Sequence, residues 1–381
     1  MERAYFDHNA TTRVDPEVLE SMIPYLGGQF GNASSRHTPG TEAMKAVRRA
    51  REQVANSVKV ESKQVIFTSG GTEANNLAIK GLSSQLKTSL IAISDIEHPC
   101  VRKPSEGLAK NGWTLKNLAV SPDGVIDLDV ARNIINEGCE LVSIMLANNE
   151  TGVLQPVNQI ADFAKAQGAL VHTDAIQALG KVPLNFNALG VQAMSISAHK
   201  LNGPKGVGAL IVDKSLSIAP LIEGGGHEYG IRSGTLNVPA IVGFGTACDK
   251  IDCRITKIAE EVKCVRDDFE VGIMDIGGVI FGNNQARLPN TSYFSIPGIA
   301  GETLVIELDN RGFAVSSGAA CSSDSEGPSQ VLSAMGIKDE LALGAVRVSF
   351  GPENTAQEAD RLLGCLHEIA HKLKTISALT Y

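Results

Sequence analysis

Apolar residues fall in two rhythms along the first two-thirds of the chain. One is helical: between Thr41 and Val58, the residues Ala43, Met44, Val47, Ala50, Val54 and Ala55 recur at three- and four-residue spacing, which predicts an amphipathic helix. The other is short and mostly unbroken: Val65–Phe67, Leu90–Ile93, Leu141–Leu146, Leu170–Val171, Met194–Ile196 and Gly208–Val212. A strand with one wet face alternates apolar and polar residues. Continuous runs instead predict strands buried on both faces, in a mostly parallel sheet covered by helices. After Gly243 the texture changes. A charged helical stretch covers Ile251 to Val271, followed by strand candidates at Thr291–Ile296 and Val346–Phe350 and a final amphipathic helix from Ala356 to Thr375. These predict a second, smaller α+β domain, with the boundary near residues 250–260 and no internal repeat.

Composition narrows the class. Of 381 residues, 43% are hydrophobic and 20% charged, as in an ordinary folded protein with a large core. The net charge of −8 argues against a broad nucleic-acid face, which needs clustered positive charge. It leaves room for a few local anion contacts. The first residues carry no apolar signal core, and no apolar run approaches the roughly 18–20 residues that span a bilayer. Neither direct nucleic-acid binding nor a membrane is therefore expected. The seven Cys are odd in number and scattered, without a C-x-x-C. That disfavours a disulfide framework and a zinc ribbon, and predicts a cytoplasmic protein with mostly free, buried thiols and no resident metal.

The chemistry is expected where the strands end. Val65–Phe67 runs into Thr68-Ser69-Gly70-Gly71-Thr72, and Ala74, Leu77, Ala78, Gly81 and Leu82 then repeat at helical spacing. A glycine-rich turn feeding a helix N-terminus offers backbone N–H groups to a phosphate, although a plain strand–helix turn is the commoner meaning of a lone Gly-Gly-Thr. The other strands lead into His98, Asn149, Asp174 with Gln177, and Ser197 with His199 and Lys200. In a parallel sheet these ends share one edge, where open α/β sheets bind ligands. Singly, His98 reads as a satisfied half-buried histidine, Asp174 as a helix cap and Lys200 as a solvated loop lysine. Together, a phosphate cradle, a fixed carboxylate, a ring-stacking group and a lysine suit pyridoxal 5′-phosphate, which a lysine binds as a Schiff base.

The ordered motifs resemble those of the cysteine desulfurases, of the bacterial housekeeping and nitrogen-fixation type, within the class V aminotransferases. The resemblance covers essentially the whole chain. It runs through Phe6–Thr12, Phe30–His37, Thr68–Asn76, Asn148–Gly152, Asp174–Gln177, Ser197–Gly206, Gly224–Glu228, Arg232–Thr235 and Ser316–Cys321. It implies fold-type I: a large domain, residues 13–255, with a mostly parallel seven-stranded sheet flanked by helices. Residues 1–12 and 256–381 would form the small α+β domain. Lys200 would carry the cofactor and shuttle protons, Asp174 would pair with its ring nitrogen, Gln177 would reach its phenolic oxygen, and His98 would stack on the ring and assist proton transfer. Gly71, Thr72, Ser197 and His199 would hold the phosphate, joined by Thr235 from the other subunit of a homodimer. Asn32, Asn149 and Arg347 would take the carboxylate of L-cysteine. From its neighbours alone, Arg347 on Val346-Arg347-Val348 reads as a surface strand arginine.

Cys321 lies in a small, polar segment, about residues 316–328, whose composition predicts a mobile loop. The other six Cys read as packing residues. By resemblance, Cys321 attacks the substrate sulfur, becomes a persulfide and delivers sulfur to an acceptor protein such as an iron–sulfur scaffold. There it could transiently ligate a cluster. Asp324 and Glu326 put negative charge near the thiol, which would raise its pKa. Gly318-Ala319-Ala320 also departs from the commoner Gly-Ser-Ala. Competing expectations are selenocysteine lyase or another class V reaction, a non-catalytic docking scaffold, and a nucleotide-binding Rossmann protein. A transaminase needs no loop thiol, a scaffold need not keep Lys200 and Cys321, and no G-x-G-x-x-G follows the first strand.

Overall fold

The computed structural model describes residues 3–317 and 327–379. A seven-stranded sheet has the spatial order Thr114–Leu118, Leu90–Ser94, Cys139–Met145, Leu170–Asp174, Ala193–Ser197, Gly208–Val212, Val65–Thr68. Neighbours run parallel except around Gly208–Val212, which is antiparallel to both of its partners. Every residue of Val65–Thr68, Leu90–Ser94, Ala193–Ser197 and Gly208–Val212 is buried, which is why most of these strands read as continuous apolar runs. Alternate side chains feed opposite layers. Val65 and Phe67 pack with Val47, Val54, Ile160 and Phe244, while Ile66 packs with Leu77, Ile79 and Val101. Thr114–Leu118 escaped the hydrophobic pattern because it is an edge strand, buried only at Leu118.

The helix expected from Thr41 begins at Thr38 and ends at Ser57. Its cap is the His37 ring, which accepts the Gly40 N–H at 3.3 Å, and Pro39 stands in the first turn, where its missing N–H costs nothing. The charged stretch after Gly243 forms Ile251–Lys257 and Lys263–Asp275, joined through a π-helical turn at Ile258–Val262. The final helix runs Ala356–Leu379. The predicted strands lie at Thr291–Ser295 and Ala345–Ser349, in an antiparallel sheet ordered Ser316–Ser317, Ala345–Ser349, Thr291–Ser295, Val279–Ile280. A separate core of Phe269, Phe294, Phe313 and Phe350 includes Ala4 and Phe6 from the start of the chain. Ala4–Tyr5 pairs in parallel with Phe313–Ala314. The N-terminal segment thus leaves this second core and crosses to the edge of the large sheet. Among the described residues, no helix is long and apolar enough to cross a membrane.

Candidate active site

The C-terminal strand ends of the large sheet open into a cavity of about 340 Å³. Gly71, Thr72, His98, Asn149, Asp174, Gln177, His199, Lys200 and Arg347 all line it. The volume lies in the range of small-molecule sites. Asp174 closes its strand. Its Oδ1 accepts the Ile176 N–H at 2.9 Å, and its Oδ2 accepts from Asn75 Nδ2 at 2.7 Å. Burial pushes this carboxyl above its ordinary pKa, against the pull of the Ile176 N–H, His98, Asn75 and Lys200. Lys200 ends the short turn Ala198–Lys200. Its Nζ donates to the carbonyl of Asn9 and, at 2.9 Å, to that of Ala10.

His98 caps the helix Pro99–Ala109, with Nδ1 accepting the Cys100 N–H at 3.1 Å. Burial lowers its pKa, opposed by Asp174 and aided by Lys200. His199, with Nδ1 3.2 Å from Thr11 Oγ1, is brought down to about 4 by burial and then by Lys200, Lys205 and Lys181. Both rings are therefore neutral near pH 7.

Beside the cavity lies a second hollow, lined by Ser69–Glu73, Ser197, His199, Lys205 and Gly206. The helix Gly71–Ser83 starts there, after Gly70 at φ 154°, a region reserved to glycine. A Cβ at Gly71 would fall 2.2 Å from Ile176 Cδ1, so any larger residue there would have to displace the Ile176 side chain. The buried Ser197 Oγ has no hydrogen-bond partner among the described residues. An unsatisfied hydroxyl beside the N–H groups of a helix start fits a bound phosphate.

The opposite wall comes from residues 7–10 and the strand Ala345–Ser349. Arg347 is only 3% exposed. Its Nη2 meets Asp7 Oδ1 at 2.7 Å, and its Nη1 donates to the Asn149 carbonyl at 3.0 Å. Asn9 ties the walls together. Its carbonyl accepts from Lys200 and from Gln177 Nε2, the latter at 2.9 Å. Its Nδ2 donates to Thr291 Oγ1 at 2.9 Å and to the Asn149 carbonyl at 3.2 Å. Its Oδ1 accepts from Lys181 Nζ at 2.7 Å, and Lys181 also donates to Gln177 Oε1 at 2.8 Å. Lys181 is 1% exposed and has no carboxylate partner among the described residues. Burial, and then the positive charges of Lys200, Arg254 and Arg347, hold its pKa well below the ordinary lysine value.

With this geometry in place, the sequence profile of the family described as Aminotransferase class-V matches residues 4–362. The chain belongs to the class V aminotransferase family. The family member named cysteine desulfurase IscS from Dictyoglomus turgidum is 42% identical over 379 residues, spanning 98% of this chain and 96% of that protein. A solved NifS-like protein superposes with a TM-score of 0.91 at 38% identity, covering 96% of this chain and 99% of its own. SspA in complex with cysteine gives 0.82 at 31% identity, covering 92% and 100%. The seven-stranded sheet flanked by helices is the fold of these class V structures.

Two expected residues do not line the cavity of this single chain, and a third lies outside the described residues. Asn32 is exposed, its Oδ1 accepting the Ser34 N–H at 2.9 Å, and it does not line the cavity. Thr235 is exposed and lines neither hollow. Cys321 lies outside the described residues, as do Asp324 and Glu326. Among the other six thiols, Cys100, Cys139 and Cys248 are buried as expected, but Cys253 and Cys264 are exposed and Cys365 is intermediate. Both exposed thiols sit on the charged helical stretch, where no sheet covers them. Sequence reading passed over Asn9, Asn75, Cys100 and Lys181. Only the G-K pair at Gly180-Lys181, next to a run of site residues, hinted at one of them.

Proposed function

We propose that this chain is a cysteine desulfurase that binds pyridoxal 5′-phosphate, takes sulfur from L-cysteine and leaves L-alanine with a persulfide on Cys321. The observation that carries this reading is the convergence of Lys200, Asp174 and the Gly70–Thr72 turn on one cavity. The residues present fit the cofactor: Gly71, Thr72, Ser197 and His199 would hold its phosphate, Asp174 its ring nitrogen, Gln177 its phenolic oxygen and Lys200 its aldehyde carbon. When bound, it supplies an electron sink for the substrate carbon.

The chain's own groups do the rest. Arg347 and Asn149 orient the substrate carboxylate, a planar guanidinium being suited to that shape. Lys200 takes the Cα proton at Nζ and returns one later. Asp174 keeps a proton on the nitrogen it faces, because its buried carboxylate is stabilised by a positive partner. His98 stacks over the ring and moves a proton at Nε2. The Cys321 thiolate attacks the substrate sulfur, so that a sulfur–sulfur bond forms as the carbon–sulfur bond breaks. The released pair stays with the carbon skeleton, which takes up a proton and leaves as alanine.

In this reading the enzyme is a cytoplasmic homodimer in which Thr235 reaches the phosphate of the other subunit. Residues 13–255 form the cofactor domain, and 1–12 with 256–381 the smaller one. Sulfur passes to an acceptor protein such as an iron–sulfur scaffold. Purified protein mixed with L-cysteine and reductant should release alanine and sulfide in equal amounts, and Cys321→Ser should abolish both. Alanine and sulfide at the parental rate from Cys321→Ser, or no alanine from the parent loaded with cofactor, would overturn the reading.

A further inference from the structure

Cys100 lines the cavity, and no part of the reaction above uses it. Its thiol sits 2.8 Å from His98 Nδ1 and 3.0 Å from Asn75 Nδ2. The directions of these contacts are settled by elimination. The backbone N–H of Cys100 donates to His98 Nδ1 at 3.1 Å, so Nδ1 is an acceptor and carries no hydrogen. The thiol facing the same nitrogen can then only donate. On its other side, the Asn75 amide nitrogen has two hydrogens and no lone pair to offer, so sulfur accepts there. The same amide nitrogen donates to Asp174 Oδ2 at 2.7 Å. A single amide group thus spans the carboxylate at the sheet edge and the thiol behind the imidazole.

We infer that Cys100 is a positioning residue: its S–H, oriented by Asn75, donates to Nδ1 of His98 and leaves Nε2 as the ring nitrogen that carries the proton at the cavity. Among the described residues, Nε2 has no hydrogen-bond partner of its own. Burial raises the thiol pKa to about 12, which keeps it a donor throughout the working range. A thiol held this way is no rival nucleophile to Cys321. A hydrogen bond into Nδ1 exists only while that nitrogen is unprotonated, so it holds His98 neutral. The charged groups facing the ring are Asp174, which favours the imidazolium, and Lys200, which opposes it. The thiol adds to the Lys200 side.

This inference bears on proton transfer only if the desulfurase reading holds, but the protonation of the ring can be measured whatever the reaction. The test is nitrogen-15 NMR of the full chain labelled at histidine, with and without cofactor, with the His98 signals assigned by loss in His98→Gln. In the parent, His98 should carry its proton on Nε2. Cys100→Ser and Cys100→Ala remove the same sulfur, but only serine keeps a donor. Losing one hydrogen bond to the neutral ring should raise the His98 midpoint in the alanine variant by about half a pH unit, roughly threefold in proton affinity, and serine should restore it. Equal midpoints in the two variants would reduce Cys100 to packing and overturn the inference. So would a parental ring carrying its proton on Nδ1, which needs no Cys100 variant to detect. Sulfide release, assayed separately, reports on the desulfurase reading alone.

Discussion

The two walls of the cavity are built differently. On the sheet side, Asp174, Ser197 and Lys200 stand at or just past strand ends, and their positions follow from backbone pairing among buried central strands. On the far side, residues 7–10 have no sheet of their own at the cavity. Side chains hold them from both directions: Lys181 and Gln177 from one, Thr291 and Arg347 from the other. In the proposed reading, the sheet wall presents the groups that would move protons and the pinned wall the groups that would hold a carboxylate. The difference teaches that damage to the first should fall on the rate of the chemical step, and damage to the second on binding.

The sharpest way to break this division is Lys200→Ala. Loss of the group proposed to bind the cofactor and move the Cα proton should cut kcat about 10³-fold or more, measured as alanine release from L-cysteine. A variant within tenfold of the parent would remove Lys200 from the chemistry.

Lys181 pins one wall to the other, and its effect should show in stability. Its pKa in the folded protein lies below the unfolded value, so between the two the unfolded chain binds more protons. Parental stability should therefore rise with pH across the window that ends near 10.5, by up to about 1.4 kcal/mol per pH unit from this group. That contribution is lost as the pH falls. Lys181→Met should flatten the slope, read from urea unfolding at pH 7 and pH 9. An unchanged slope would mean that Lys181 stays charged in place.

The smallest effect belongs to the pinned wall itself. Arg347→Lys keeps the charge but loses the planar fork, so KM for L-cysteine should rise about tenfold with little change in kcat. A fall in kcat at constant KM would erase the distinction between the walls.

The same contrast explains what could be read from the sequence. The sheet wall was legible because strands buried on both faces leave unbroken apolar runs, and whatever follows such a run lies at the sheet edge. Thr114–Leu118 was not, because half of an edge strand faces water and its pattern resembles a loop. The pinned wall was nearly invisible. Asn9 meets Lys181 across 172 residues and Thr291 across 282, and no local pattern encodes such distances. Arg347 has the flanks of a surface strand residue. It is buried because Asp7, 340 residues away, neutralises it. Helix starts slipped by three residues at Thr38, because a histidine cap is a weak signal beside Ser, Thr or Asp.

The pairing of Ala4–Tyr5 with Phe313–Ala314 also sets an order of assembly during synthesis. All seven strands of the large sheet have been made once residue 212 is complete. Ala4 and Tyr5 must wait for partners some 300 residues downstream, roughly 15–60 s later at ordinary elongation rates. On a nascent chain the sheet edge, its glycine turn and the contacts of Asn9 to Gln177, Lys181 and Lys200 can therefore form while the strand Ala345–Ser349, which bears Arg347, is still unmade. The cavity then stands open on one side until translation is nearly finished.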